Sequence, residues 1–190
     1  MAQQGPNPIE IYEQALAQYR PILAAIKAEQ HKSSTPCTDW TVEALINHSL
    51  ATQRFAQAVL SKSGADPSVM ADVIHPLPAE GAIAALNSIS SEVLSTLKSL
   101  NMEEIVETPF GAMPGGQFIM VPITDMIVHT WDVAKATGQN TTLASGLAEV
   151  AFNVLTVVAA NGRERGAFGP EVTVPASFQD RMLGLSGRQP

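Results

Sequence analysis

Between Pro122 and Gly138 a helical reading of the chain leaves almost no polar side. Ile123, Met126, Ile127, Thr130, Val133 and Ala134 form one stripe of the helical wheel. Val121, Asp125, Val128, His129, Asp132 and Ala136 form the other, with Trp131 between them. Apart from the two aspartates and Lys135, this helix is apolar all round. Such a helix must be covered on every side, so the rest of the chain has to be built around it. Pro122 suits a first helical position and Gly138 a C-terminal stop.

The neighbouring segments supply the cover. Ile9, Tyr12, Leu16, Tyr19, Leu23 and Ile26 step by three and four along one helical face, with a kink or break expected at Pro21. Thr41 offers an N-cap, and Glu43 favours the first turn of a helix expected to run to about Leu60. A loop with Pro67, His75, Pro76 and Pro78 leads to a third helix, about Ala79 to Ser99. Residues 101–121 crowd turn-formers around single apolar residues and predict a long structured loop or a short hairpin. A further helix is expected from about Leu143 to Ala160. The following residues, rich in Gly and Pro, predict an irregular C-terminal tail with a short strand at Glu171 to Val174. Helices without strand partners mean an all-α bundle, residues 1–160, with the tail, 161–190, packed on the same domain.

Composition narrows the function. The net charge of −7 argues against a nucleic-acid partner, which needs a surplus of Lys and Arg on one face. Charged residues make up only 15 % of the 190, so surface is left that a second copy could cover, as in a homodimer. The lone Cys37 excludes an internal disulfide and fits a reducing compartment. Residues 1–5 show neither a basic nor an apolar leader region. The apolar stretch from Ala144 to Ala160 is interrupted by Glu149 and Asn153, and reads as too short to span a bilayer. A cytoplasmic protein without a membrane partner is the expectation.

Asp125 and His129 are four residues apart, so they project from adjacent turns of one face. Helices offer two ligands to one metal with this spacing, and an ion pair on a wet face has it too. On the second helix His48 lies in the middle of an apolar stripe of Ala44, Leu45, Ala51, Thr52, Phe55 and Val59. Glu43, Asn47, Gln53, Arg54 and Gln57 lie opposite. A core histidine bonded to a carbonyl or hydroxyl would satisfy that pattern. A third ligand for the same ion would also satisfy it, because two imidazoles and a carboxylate form a known catalytic ligand set. The chain has no Gly-x-Gly-x-x-Gly, P-loop, Cys-x-x-Cys, Gly-x-Ser-x-Gly or His-Glu-x-x-His.

Several segments carry a family resemblance. They are Thr35-Pro-Cys-Thr-Asp-Trp-Thr-Val, the His48 helix, Thr108-Pro-Phe-Gly, the stretch from Asp125 to Gly138, and Phe168-Gly-Pro-Glu-Val. Together they resemble the DinB-like superfamily, in the branch similar to the metal-binding domain of mycothiol-dependent maleylpyruvate isomerases. The resemblance implies a four-helix bundle, here with an extra helix, holding one divalent metal ion, zinc or nickel. The implied ligands are His48, Asp125 and His129. The isomerase carries a glutamate where this chain has Asp125, and a further C-terminal domain beyond the bundle. The resemblance also implies a low-molecular-weight thiol such as mycothiol as cofactor or cosubstrate, acting on an electrophilic small molecule.

The expected function is therefore a thiol-dependent transferase or isomerase. A metal-dependent hydrolase and a non-catalytic metal- or ligand-binding protein are the alternatives. Asp132 is expected either to hold His129 or to cap the 101–121 loop. Cys37 and Trp131 are expected to be structural. His31 and His75 are read as solvent-facing. Phe110 and Met113 are expected to line a mouth above the metal or to anchor their loop. The tail arginines are read as surface charge, with binding of an anionic substrate as the other reading.

Overall fold

The computed structural model describes residues 7–71, 73–174 and 177–190; the amino-terminal residues read above for a leader lie outside it. The helices are α1 (Pro8–Ala24), α2 (Val42–Leu60), α3 (Ala82–Ser99), α4 (Gly115–Phe118), α5 (Met120–Ala136), α6 (Ser145–Glu164) and α7 (Phe178–Leu185). Short 3-10 turns at Ala28–Gln30 and Pro67–Met70 complete the helical part. Strands β1 (Ile105–Val106) and β2 (Met113–Pro114) form a two-residue antiparallel ladder, so the 101–121 segment contains a hairpin.

Four helices close a ring: α1 packs on α3 and α5, and α2 packs on α3 and α5. Their inner faces share one core that includes Tyr12, Leu16, Tyr19, Leu45, Leu86, Val93, Ile123 and Ile127. α6 packs on α5 from outside, and α7 packs on α6. The apolar helix α5 thus lies between the other ring helices and the α6–α7 layer, as its all-round apolar character demands.

α2 follows its sequence signals closely. The Thr41 hydroxyl accepts from Ala44 N–H at 3.2 Å, and the carbonyls of Ser33 and His31 accept from Val42 and Glu43 N–H. These contacts satisfy N–H groups that a helix start leaves without partners. The expected polar side of α2, however, is not a wet face. Asn47 and Gln53 are fully buried. Asn47 Nδ2 donates to the carbonyls of Val73 and His75, and Gln53 Oε1 accepts from the Tyr12 hydroxyl at 2.9 Å.

Other boundaries differ from expectation for local reasons. α1 runs unbroken through Pro21, whose ring sits on the exposed side. α3 starts at Ala82, after Gly81 turns the chain with φ +86. α5 starts two residues before Pro122, a tolerated first-turn position. α6 is 20 residues long and, by length and composition alone, is apolar enough to cross a membrane. Only one stripe of it, Leu147, Ala148, Ala151, Leu155 and Ala159, is buried. No strand forms at 171–174. Val172 N–H instead bonds to the Gly184 carbonyl, which lays this segment along α7. α7 has a reciprocal cap between Ser177 and Asp180.

Candidate metal centre

His48 from α2 and Asp125 and His129 from α5 meet between the two helices. Asp125 Oδ1 lies 3.3 Å from His48 Nε2 and 3.2 Å from His129 Nε2. One ligating atom from each of the three lies within 4.8 Å of the others. Side-chain exposure is 7 % for His129, 14 % for His48 and 26 % for Asp125, so the cluster opens to solvent at Asp125.

The far nitrogen of each imidazole is already engaged. His48 Nδ1 faces the Met70 carbonyl at 2.8 Å, and a carbonyl can only accept, so this nitrogen carries the proton. His129 Nδ1 lies 2.8 Å from Asp132 Oδ2. Burial opposes ionisation of Asp132, but the hydrogen bond from His129 and the charge of Arg188 outweigh it and hold its carboxyl below the usual range. Asp132 is thus an acceptor, and His129 Nδ1 is a donor. In the neutral imidazoles both lone pairs then sit on Nε2, directed at the oxygen of Asp125. The expectation that Asp132 holds His129 is the one the structure shows; it does not cap the hairpin.

Two lone pairs and a carboxylate oxygen cannot share one point without a positive charge among them. A proton on His129 is one way to supply it. Burial disfavours the charged ring, yet the Asp125 carboxylate, with hydrogen bonds to Asp125, Asp132 and Cys37, raises the His129 pKa well above 6.5. Burial likewise opposes ionisation of Asp125, and the two adjacent imidazoles overcome it and hold its pKa far below the usual range. A divalent cation is the other way. Spacings of 3.2–3.3 Å approach the edge, about 3.3–3.6 Å, of a tetrahedron with bonds of about 2.0–2.2 Å. Asp125 Oδ2 is buried without a hydrogen-bond partner, an expensive state for a carboxylate oxygen. The residues present therefore fit a metal ion.

Trp40 lies tilted against the pair. Its ring centroid is 4.7 Å from that of His48 and 6.4 Å from that of His129. The Thr35–Thr41 motif explains its placement. The Thr35 hydroxyl accepts from Cys37 N–H and faces the Trp40 carbonyl at 3.0 Å, and Asp39 takes the left-handed conformation at φ +66. This tight loop holds both Trp40 and Cys37 against the site.

Two further residues of the site escaped the sequence reading. Cys37 Sγ lies 3.4 Å from Asp132 Oδ2 and 3.9 Å from His129 Nδ1. Arg188, expected at the surface, has a side chain only 9 % exposed and pairs with Asp132 at 2.9 Å. Cys37, His129 and Asp132 also have ligand-like spacing. The Arg188 guanidinium already supplies the cation there, and His129 presents a proton to that side, so a second ion has no place. Phe110 and Met113 stay with their hairpin: Phe110 is exposed beneath Arg165, and Met113 packs on the core. Trp131 is buried in the core, as expected. His31 is half-buried and His75 exposed.

Comparison with known proteins agrees with this architecture. Two curated relatives are uncharacterized proteins of Mycobacterium tuberculosis, Rv0738 of strain H37Rv and MT0763 of strain CDC 1551. Each is 29 % identical over 145 residues, covering 75 % of this chain and 74 % of the relative. The crystal structure of the mycothiol-dependent maleylpyruvate isomerase superposes with a TM-score of 0.62 at 15 % identity, covering 86 % of this chain and 72 % of that one. A histidine-to-alanine mutant of that isomerase gives a TM-score of 0.60 at 16 % identity, with the same coverage. The sequence model of the mycothiol maleylpyruvate isomerase N-terminal domain matches residues 12–134, more than half of the chain. These residues span the ring of helices and both sides of the histidine–aspartate cluster, and the chain belongs to the mycothiol maleylpyruvate isomerase N-terminal domain family, with a DinB-like helical fold.

Proposed function

We propose that His48, Asp125 and His129 hold one divalent metal ion and that the chain is a thiol-dependent transferase or isomerase. One observation carries the metal assignment: two imidazoles whose Nδ1 atoms are already engaged turn both Nε2 atoms onto a single carboxylate oxygen. Membership of a family named for a mycothiol-dependent enzyme supports mycothiol, or a similar small thiol, as the second component.

The chain's own residues divide the work. The Met70 carbonyl and Asp132 fix the two rings. Trp40 covers them on one side, which leaves the approach past Asp125 for a small molecule. Three protein ligands leave further positions open, the pattern of catalytic rather than closed structural sites. A divalent ion would supply Lewis acidity there, enough to ionise near neutral pH a thiol of ordinary pKa about 8.5. The reaction class is thiol-dependent transfer to, or isomerisation of, an electrophilic small molecule.

Cobalt substitution tests this reading. Titration of the metal-free protein should give one equivalent of tight binding. Millimolar mycothiol should then add a near-ultraviolet sulfur-to-cobalt charge-transfer band that grows with pH. No tight binding overturns the metal assignment. An unchanged spectrum with mycothiol, bacillithiol and glutathione alike overturns the thiol assignment.

A further inference from the structure

Behind His129 lies a second layer of contacts that reaches into the C-terminal tail. Arg188 Nε donates to Asp132 Oδ1 at 3.2 Å and Nη2 to Asp132 Oδ2 at 2.9 Å. Nη1 donates to the Ser186 carbonyl at 2.8 Å, and Nη2 also lies 3.2 Å from Cys37 Sγ. The two parallel bonds to one carboxylate fix the carboxylate's plane as well as its charge. In that plane Oδ2 faces His129 Nδ1 at 2.8 Å.

The tail is shaped to deliver this side chain. Arg188 N–H bonds back to the Leu183 carbonyl and Gly187 N–H to the Gly184 carbonyl, which closes α7. Gly187 takes φ +80, and a Cβ there would lie 2.9 Å from the backbone of Gly169. Only glycine permits this turn at this separation, and the turn sends Arg188 inward. Asp132 is fully buried, and its partners are Arg188, His129 and Cys37.

We propose that Arg188 is a positioning residue for the metal centre: its fork locks the Asp132 carboxylate, and Asp132 in turn sets the orientation of His129. This rests on the reading of His48, Asp125 and His129 as metal ligands. The tail is therefore part of the site's support. Lysine would keep the charge and lose the fork, so charge and orientation can be separated.

Arg188→Gln and Arg188→Lys are the test, with two readouts. The first is zinc affinity by competition with a chromophoric chelator. It should fall on the order of 10–100-fold in Arg188→Gln, and by less in Arg188→Lys. The second is the downfield proton resonance of the His129 Nδ1–H in metal-free, ring-labelled protein. It should be shifted or lost to exchange in Arg188→Gln and partly restored in Arg188→Lys. Affinity within twofold of the parent protein in a folded Arg188→Gln overturns the proposal. If Arg188→Gln does not fold, Arg188→Lys decides by the same criterion. If the parent protein binds no zinc, the metal reading fails, and the resonance then decides: an unshifted Nδ1–H in both variants overturns the role of Arg188.

Discussion

Asp125 and His48, 77 positions apart in the chain, face each other at 3.3 Å through Oδ1 and Nε2. Nothing local connects them. Their meeting depends on the packing of α2 against α5, and each helix is held by its own core contacts.

His48→Ala should therefore remove tight metal binding and leave a folded bundle. A chain of 190 residues with one continuous core does not need an ion to fold. Zinc retention after desalting and the far-ultraviolet circular dichroism of the variant check this together. An unfolded metal-free protein would mark the centre as structural.

The metal-free protein should lose stability with rising pH over a range in which the zinc-loaded protein does not. His129 has a raised pKa in the folded state, so its contribution to stability is complete below about 6.5 and declines as pH rises through the higher folded value. Asp125 has a lowered pKa, so its contribution persists above the unfolded carboxylate value of about 3.9 and is lost only in stronger acid. Melting temperatures of the metal-free protein should fall from pH 6.5 upward. Zinc must displace the His129 proton, so the zinc-induced rise in melting temperature should grow over the same range.

Asn47→Ala should weaken zinc binding several-fold without touching a ligand. Asn47 ties the carbonyls of Val73 and His75 to α2, and the same segment between α2 and α3, residues 61–81, carries the Met70 carbonyl that orients His48. Loss of the two bonds should also cost about 1–3 kcal/mol of stability. Urea unfolding and chelator competition measure the two effects separately.

Tyr12→Phe should cost about 1–3 kcal/mol with zinc affinity unchanged, because it strands the buried Gln53 oxygen on a side of α2 turned away from His48. Gly184→Ala should disturb the tail instead. A Cβ at 184 would meet the Val172 carbonyl oxygen at 2.1 Å, so residues 172–174 must move off α7. Proteolysis of the tail at a lower protease concentration than in the parent protein is the expected result.

The sequence showed most clearly what short-range physics decides. The Thr41 cap and apolar stripe placed α2 within a residue, and the all-round apolar character of α5 marked its central position. Contacts between distant segments stayed hidden. Asn47 and Gln53 look like a solvent-facing row until a loop and α1 cover them. Cys37 and Arg188 are 151 positions apart, and no spacing rule connects them. The α7 helix is short, contains Gly184 and depends on packing against α6, so its apolar pattern is faint. The Ser177-x-x-Asp180 capping box was the available signal.

The anchor of His48 is a main-chain carbonyl, not a side chain. The identity of residue 70 therefore matters only through its apolar packing on the core, and any apolar side chain that packs there keeps the anchor. Length is what this loop must conserve. One residue inserted into the Pro67–Met70 turn would carry the carbonyl about 2 Å along its axis and about a third of a turn around it. Across relatives, the 61–81 segment should vary in letters and resist gaps.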